Sequence, residues 1–209
     1  MESVTGWLSV LGPWGTAVLW HLIANQIVAR VGRYVFSTVK PHPAAAAPLW
    51  DVGHELLPHL RVTPFQDSLL HHVAIVPALV AVWLGFGQLF FRAHTWVLLL
   101  RPICFLSTIL PDASRVGQIP SLTSLKGGIH DLMFSGHAAL AITGATTVVM
   151  AASCKPTCQT ALWVLKALLV TLCALQSLMI ICTRKHYTVD VVVAWLLCPL
   201  LVQMQLVYP

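Results

Sequence analysis

The residues able to do chemistry gather in two short stretches, Phe134-Ser135-Gly136-His137 and His186-Tyr187-Thr188-Val189-Asp190. His186 and Asp190 are four apart, so on a helix they share one face. A carboxylate beside one imidazole nitrogen orients the ring and leaves the other nitrogen its lone pair for attack. His137 follows Ser135-Gly136 at what reads as a helix start, where backbone N–H groups favour an anion such as phosphate. Two histidines and a carboxylate suffice for a two-step phosphoryl transfer. One histidine attacks phosphorus; the other protonates the departing alkoxide and then deprotonates the incoming hydroxyl.

The elements that must position these residues are hydrophobic helices. The chain has 209 residues, of which 57% are hydrophobic and 9% charged, and its mean hydropathy is +0.80. Soluble domains carry roughly 25% charged residues, so this chain cannot cover a water-facing surface. A bilayer core takes about 20 apolar residues per helix. Six stretches qualify, near Trp7–Val28, Leu69–Phe91, Ala93–Leu110, Leu132–Ala152, Thr160–Thr183 and Tyr187–Val207. The expected fold is all-α, a polytopic membrane protein of about six transmembrane helices in a single membrane domain covering residues 1–209. The first stretch lacks a basic leader and a clear cleavage site and reads as a retained helix. Asp51–Leu60 reads as a short interfacial helix after the loop-like Pro41-His42-Pro43, the alanine run Ala44–Ala47 and Pro48. Gly127-Gly128 makes a flexible approach to the fourth span.

With both termini on one side, six spans bring the start of the fourth, the end of the fifth and the start of the sixth to the opposite face. Hydropathy alone therefore converges His137, His186 and Asp190. An intramembrane Asp is costly and is seldom present without a partner. The formal charge of +5 and pI of about 9.1 accompany no nucleic-acid motif. Phospholipid headgroups are the simpler anionic partner. The site-side connections hold Arg30, Arg33, Lys40, Arg61, Arg115, Lys126, Arg184 and Lys185, against chiefly Arg92 and Lys155 on the terminal side. Taken alone, that asymmetry places the site in the cytosol. Of the six cysteines, Cys104, Cys173, Cys182 and Cys198 lie in apolar stretches as small fillers. Cys154 and Cys158 bracket a short loop with no second zinc-spaced pair, so no metal site is expected. His21, His59, His71, His72 and His94 read as interfacial or structural histidines.

Four blocks, in order, resemble the sphingomyelin synthase family, a branch of the lipid phosphate phosphatase superfamily. Pro48-Leu49-Trp50-Asp51 with Val52-Gly53-His54-Glu55-Leu56-Leu57-Pro58 looks like the family's first motif, and Arg101 through Thr108-Ile109-Leu110-Pro111 like its second. His130-Asp131-Leu132-Met133-Phe134-Ser135-Gly136-His137 looks like its third, and His186 through Trp195 like its fourth. The blocks define a motif-bearing core over residues 48–195. The resemblance implies a lipid phosphate phosphatase-like helical bundle with His186 as the nucleophile that forms a phosphohistidine, Asp190 as its orienting carboxylate and His137 as the acid/base. It further implies substrate contacts from Arg101, Asp131, Ser135, Gly136, Tyr187 and Arg184, and no metal or other cofactor. The implied reaction moves phosphocholine, phosphoinositol or phosphoethanolamine from a phospholipid donor to ceramide or diacylglycerol. The implied setting is multi-pass, in the Golgi, endoplasmic reticulum or plasma membrane, with the site in the lumen, against the charge count. Ile129-His130 stand where the family often has Cys-Gly, which bears on headgroup choice. The Arg184-to-Asp190 run is also similar to inositol phosphorylceramide synthases, and His130-to-His137 to phosphatidylcholine:diacylglycerol cholinephosphotransferases.

Two other functions compete. A lipid phosphate phosphatase would resolve the same phosphohistidine with water. Its superfamily pattern sets a Ser-Arg well ahead of the last histidine, whereas Arg184 is only two before His186. A catalytically silent membrane scaffold would leave the intact His/His/Asp set without use.

Overall fold

The computed structural model describes residues 2–38, 50–107, 109–111, 130–132, 134–152 and 159–208. Side chains are described for most of these; those of Asp131 and the two short strands are not. Cys154, Cys158, Thr108, Met133, Arg115, Lys126, Gly127-Gly128 and the stretch from Lys40 through the Pro41 and alanine-run loop to Leu49 lie outside the described residues.

In chain order the elements are α1 (Glu2–Thr38), α2 (Val52–Leu56), α3 (Pro64–Val73), α4 (Val76–Trp83), α5 (Gly87–Ser107), β1 (Ile109–Pro111), β2 (His130–Leu132), α6 (Gly136–Ala151), α7 (Gln159–Cys182) and α8 (Thr188–Val207). The protein is a helical membrane fold. Among the described residues, Pro64–Trp83, Gln159–Cys182 and Thr188–Val207 are long and apolar enough to cross a membrane, and α6 is a shorter apolar helix. Trp163, Leu168 and Leu175 of α7 and Leu196 and Leu200 of α8 are exposed, as a lipid-facing surface requires.

The expected fifth and sixth spans coincide with α7 and α8 to within one residue. The second and third do not. The chain turns at Leu84–Phe86, so the second span is Pro64–Trp83, not Leu69–Phe91, and the helix that follows, α5, runs Gly87–Ser107 where Ala93–Leu110 was expected. Gly85 takes φ +82°, a left-handed conformation that ends helices and favours glycine. Its neighbours Leu84 and Phe86 are apolar, so hydropathy runs through the turn unbroken. The first element also runs longer than Trp7–Val28 and kinks at Gly12, ahead of Pro13. The interfacial helix is shorter than Asp51–Leu60, stopping at Leu56.

The core lies where α6 is surrounded. It packs on α4, α7 and α8, while α1 packs chiefly on α5. Small residues allow the close approach: Ala74, Ala78 and Ala81 face Ala138, Ala141 and Ala145 in one buried cluster. A Cβ on Gly144 would stand 2.5 Å from the backbone nitrogen of Ala78, so only glycine fits there. Without a hydrophobic drive between helices in lipid, such packing does much of the holding. Thr143 and Thr147 donate to carbonyls one turn back, 2.7 and 2.8 Å away, satisfying their hydroxyls inside the apolar core.

One pairing departs from an all-helical chain. β1 and β2 form an antiparallel pair, Ile109 opposite Leu132, Leu110 opposite Asp131 and Pro111 opposite His130. It joins the residues that follow α5 to those that lead into α6.

Candidate active site

The C-terminal ends of α5 and α7 and the N-terminal ends of α3, α6 and α8 lie at one end of the bundle, where α2 packs on α7 and α8. The starts of α2, α3, α6 and α8 are each held by side-chain hydrogen bonds. Ser135 caps α6, its Oγ accepting from the Ala138 N–H at 3.4 Å. Thr63 and Gln66 form a capping box on α3. Asp51 serves two helices: Oδ1 accepts from His54 N–H at 2.9 Å, capping α2, and from the Thr188 hydroxyl at 2.6 Å. Oδ2 accepts from Thr188 N–H, the first of α8, at 2.8 Å. A Cβ on Gly53 would lie 2.1 Å from Thr188 Oγ1, so glycine is what lets α2 seat against α8.

The spacing placed His186 and Asp190 on one helix face; in the structure Asp190 is in the first turn of α8 and His186 lies in the bend just before it, and the two side chains still meet. Asp190 is fully buried, and its Oδ2 lies 3.7 Å from His186 Nδ1. The same oxygen accepts from Tyr187 N–H at 3.1 Å. The carboxylate thus closes the first turn of α8 while facing the imidazole, and Nε2 is the nitrogen turned away from it. The carbonyl of His186 lies 3.1 Å from His54 Nε2, and the His54 ring stacks on buried Tyr187, centroids 5.6 Å apart.

His137, in the first turn of α6, lies within electrostatic reach of His186, His71 and Arg101. Its ring stands at 79° to that of His71, centroids 4.2 Å apart. Arg101 reaches across from α5. Its Nε donates to the carbonyl of Phe134 at 3.2 Å, and its guanidinium covers Gly136, whose Cβ position lies 2.8 Å from Nη1. A cation laid against a helix N-terminus adds positive charge to a positive end. That is an unfavourable contact for the protein alone and a favourable one around an anion.

The remaining expected contacts are placed differently. Arg184, at φ +56°, donates from Nη2 to the carbonyls of His54 and, at 3.4 Å, Leu57. Its guanidinium therefore closes the C-terminal end of α2. Tyr187 is buried under His54, and Ser135 is buried as a cap. For Asp131 only the backbone is described, paired opposite Leu110. Sequence reasoning treated His71 as interfacial or structural, yet it stands against His137. The signal was present: Asp67 and His71 have the same four-residue separation as His186 and Asp190. Asp51 lay within a motif block, but its double capping depends on a contact across 137 positions, which no local spacing reveals. A cavity of about 810 Å³ lies elsewhere, around the α1 kink between Trp20, Arg92, Trp96 and Gln205. Among the described residues no group of three or more His, Cys, Asp or Glu could hold a metal ion.

Residues 130–206 match a protein-family model, PAP2 superfamily C-terminal. The matched segment runs from β2 through α8 and contains His137, His186 and Asp190. It carries the likeness to the lipid phosphate phosphatase superfamily, whose members are generally phosphoesterases or phosphotransferases, without singling out the sphingomyelin synthase branch. No curated protein and no solved structure matches the chain.

Proposed function

We propose that the protein is a lipid phosphotransferase that moves a phospho-headgroup from a glycerophospholipid to ceramide or diacylglycerol through a phosphohistidine. The observation that carries this reading is the cationic seat formed by Arg101 on the α6 N-terminus, with His137 in that same turn and His186 within electrostatic reach. A phosphodiester seated there would have its charge met by the guanidinium and by backbone N–H groups. With Nδ1 facing Asp190, His186 would attack phosphorus through Nε2. The bond from phosphorus to the glyceride oxygen breaks, and His137 gives that oxygen its proton. The acceptor hydroxyl then attacks the phosphohistidine, returning its proton to His137 and freeing His186. The proton count closes over the two steps, and no metal is needed for the charge.

The choice of transfer over hydrolysis rests on the four motif blocks. The second reading, a lipid phosphate phosphatase, rests on the same superfamily match and differs only in the species that resolves the intermediate. The test uses purified protein in detergent with fluorescent ceramide or diacylglycerol, each paired with phosphatidylcholine, phosphatidylinositol or phosphatidylethanolamine, and products separated by chromatography. A new phospholipid or phosphosphingolipid, absent with His186→Ala, is the expected result. Release of phosphate from phosphatidic acid with no headgroup moved would replace transferase by phosphatase. No turnover of either kind would leave a lipid-binding scaffold.

A further inference from the structure

We propose, building on the phosphotransfer reading above, that His71 is a positioning residue for His137, locked in place by Asp67 and Lys185. Its ring is perpendicular to that of His137 with centroids 4.2 Å apart, the nearest approach of two histidines among the described ring contacts. The orientation of His71 is fixed from behind. Its Nδ1 lies 2.6 Å from the backbone carbonyl of Asp67, and a carbonyl only accepts. Nδ1 therefore carries the proton, and Nε2 is the basic nitrogen of the neutral ring. The Asp67 carboxylate stands 3.7 Å from the same Nδ1 and pairs with Lys185, the residue before His186.

The result is a chain of contacts from the turn that carries His186, through Lys185, Asp67 and His71, to His137. His186 has Asp190 to set its ring; His71 gives His137 the corresponding support from α3. The neighbouring His72 makes the same local bond, Nδ1 to the Ser68 carbonyl at 2.6 Å, but its ring is exposed. The local helix geometry is thus shared, and only the His71 face of α3 meets the site.

The arrangement is also electrostatic. His137 is faced by His71 from α3, Arg101 from α5 and His186 from the turn before α8; His71 is faced by Asp67 from its own helix, which binds Lys185. A protonated neighbour disfavours a second positive charge. The charge on His71 therefore helps set the pH range in which His137 holds the proton it must deliver.

The experiment compares the wild type, His186→Ala, His71→Phe, His71→Gln and His72→Phe as full chains in detergent, using the transfer assay above from pH 5 to 9. With His71→Phe, kcat should fall about tenfold or more while KM for the donor holds. The basic limb of the pH profile, where His137 must still carry its proton, should move to higher pH. His71→Gln should recover part of kcat but keep the displaced limb, and His72→Phe should match the wild type. An active wild type with an unchanged rate and profile in His71→Phe would overturn this inference alone. So would a lower rate with an unmoved profile and a reduced melting temperature, which marks a merely structural histidine. A wild type that transfers no headgroup would overturn the phosphotransfer reading itself.

Discussion

At the scale of single residues, the site divides into groups that would act and groups that place them. His137→Ala, His186→Ala and Asp190→Ala should each lower transfer by about 10²–10⁴, whereas His21→Ala should leave it intact. The assay on all four variants, with folding checked by size-exclusion chromatography, decides this; full activity in Asp190→Ala would refute the dyad. Gly136→Ala makes a subtler test. Its Cβ would meet the Arg101 guanidinium at 2.8 Å, the mobile end of a long side chain. The helix should survive while the cation is displaced, so KM for the donor should rise several-fold with little change in melting temperature. The dyad was legible because its members are four apart, with His186 in the turn that leads into α8 and Asp190 in the first turn of that helix, and His137 because it follows a recognisable cap. His71 shares that four-residue spacing with Asp67, but its contact with His137 is made across helices and no spacing along the chain reveals it.

At the scale of elements, the decisive contacts are helix ends. Asp51→Ala removes the cap of α2 and frees the first N–H of α8. A cap is worth about 1 kcal/mol, so losing two should cost about 2 kcal/mol and lower activity as α8 loosens. Thermal unfolding in detergent reads the first effect and the transfer assay the second. Gly144→Val should be far more damaging, because its added atoms meet the backbone of α4 rather than a movable side chain. Loss of the monodisperse protein peak would confirm that. Periodless apolar runs gave α7 almost to the residue, since Gln159-Thr160 and Thr183-Arg184-Lys185 bracket it, and gave the start of α8, which follows Arg184-Lys185-His186. They misplaced the α4–α5 turn, where Gly85 is flanked by Leu84 and Phe86. The strand pair had no local signal at all, because three residues on each side pair across an 18-residue connection.

At the scale of the whole molecule, the ends of α5 and α7 and the starts of α3, α6 and α8 define a polar end, and the end of α8 points to the opposite one. A cysteine introduced at exposed His59, with Cys154 and Cys158 changed to serine, should be labelled by an impermeant maleimide from the membrane side opposite a C-terminal tag. Labelling from the same side would contradict the arrangement of helices. Which side is luminal is then read from sealed vesicles, where the charge count and the family resemblance disagree.

The strand pair has a consequence for engineering. Pro111 and His130 are held opposite each other, so the two ends of the connection between β1 and β2 are tied side by side. By chain-closure entropy, each doubling of the length of a connection adds only about 0.6 kcal/mol. An epitope or reporter spliced between these two positions should thus leave Arg101 and His137 in register. The pairing separates the length of the connection from the geometry of the site.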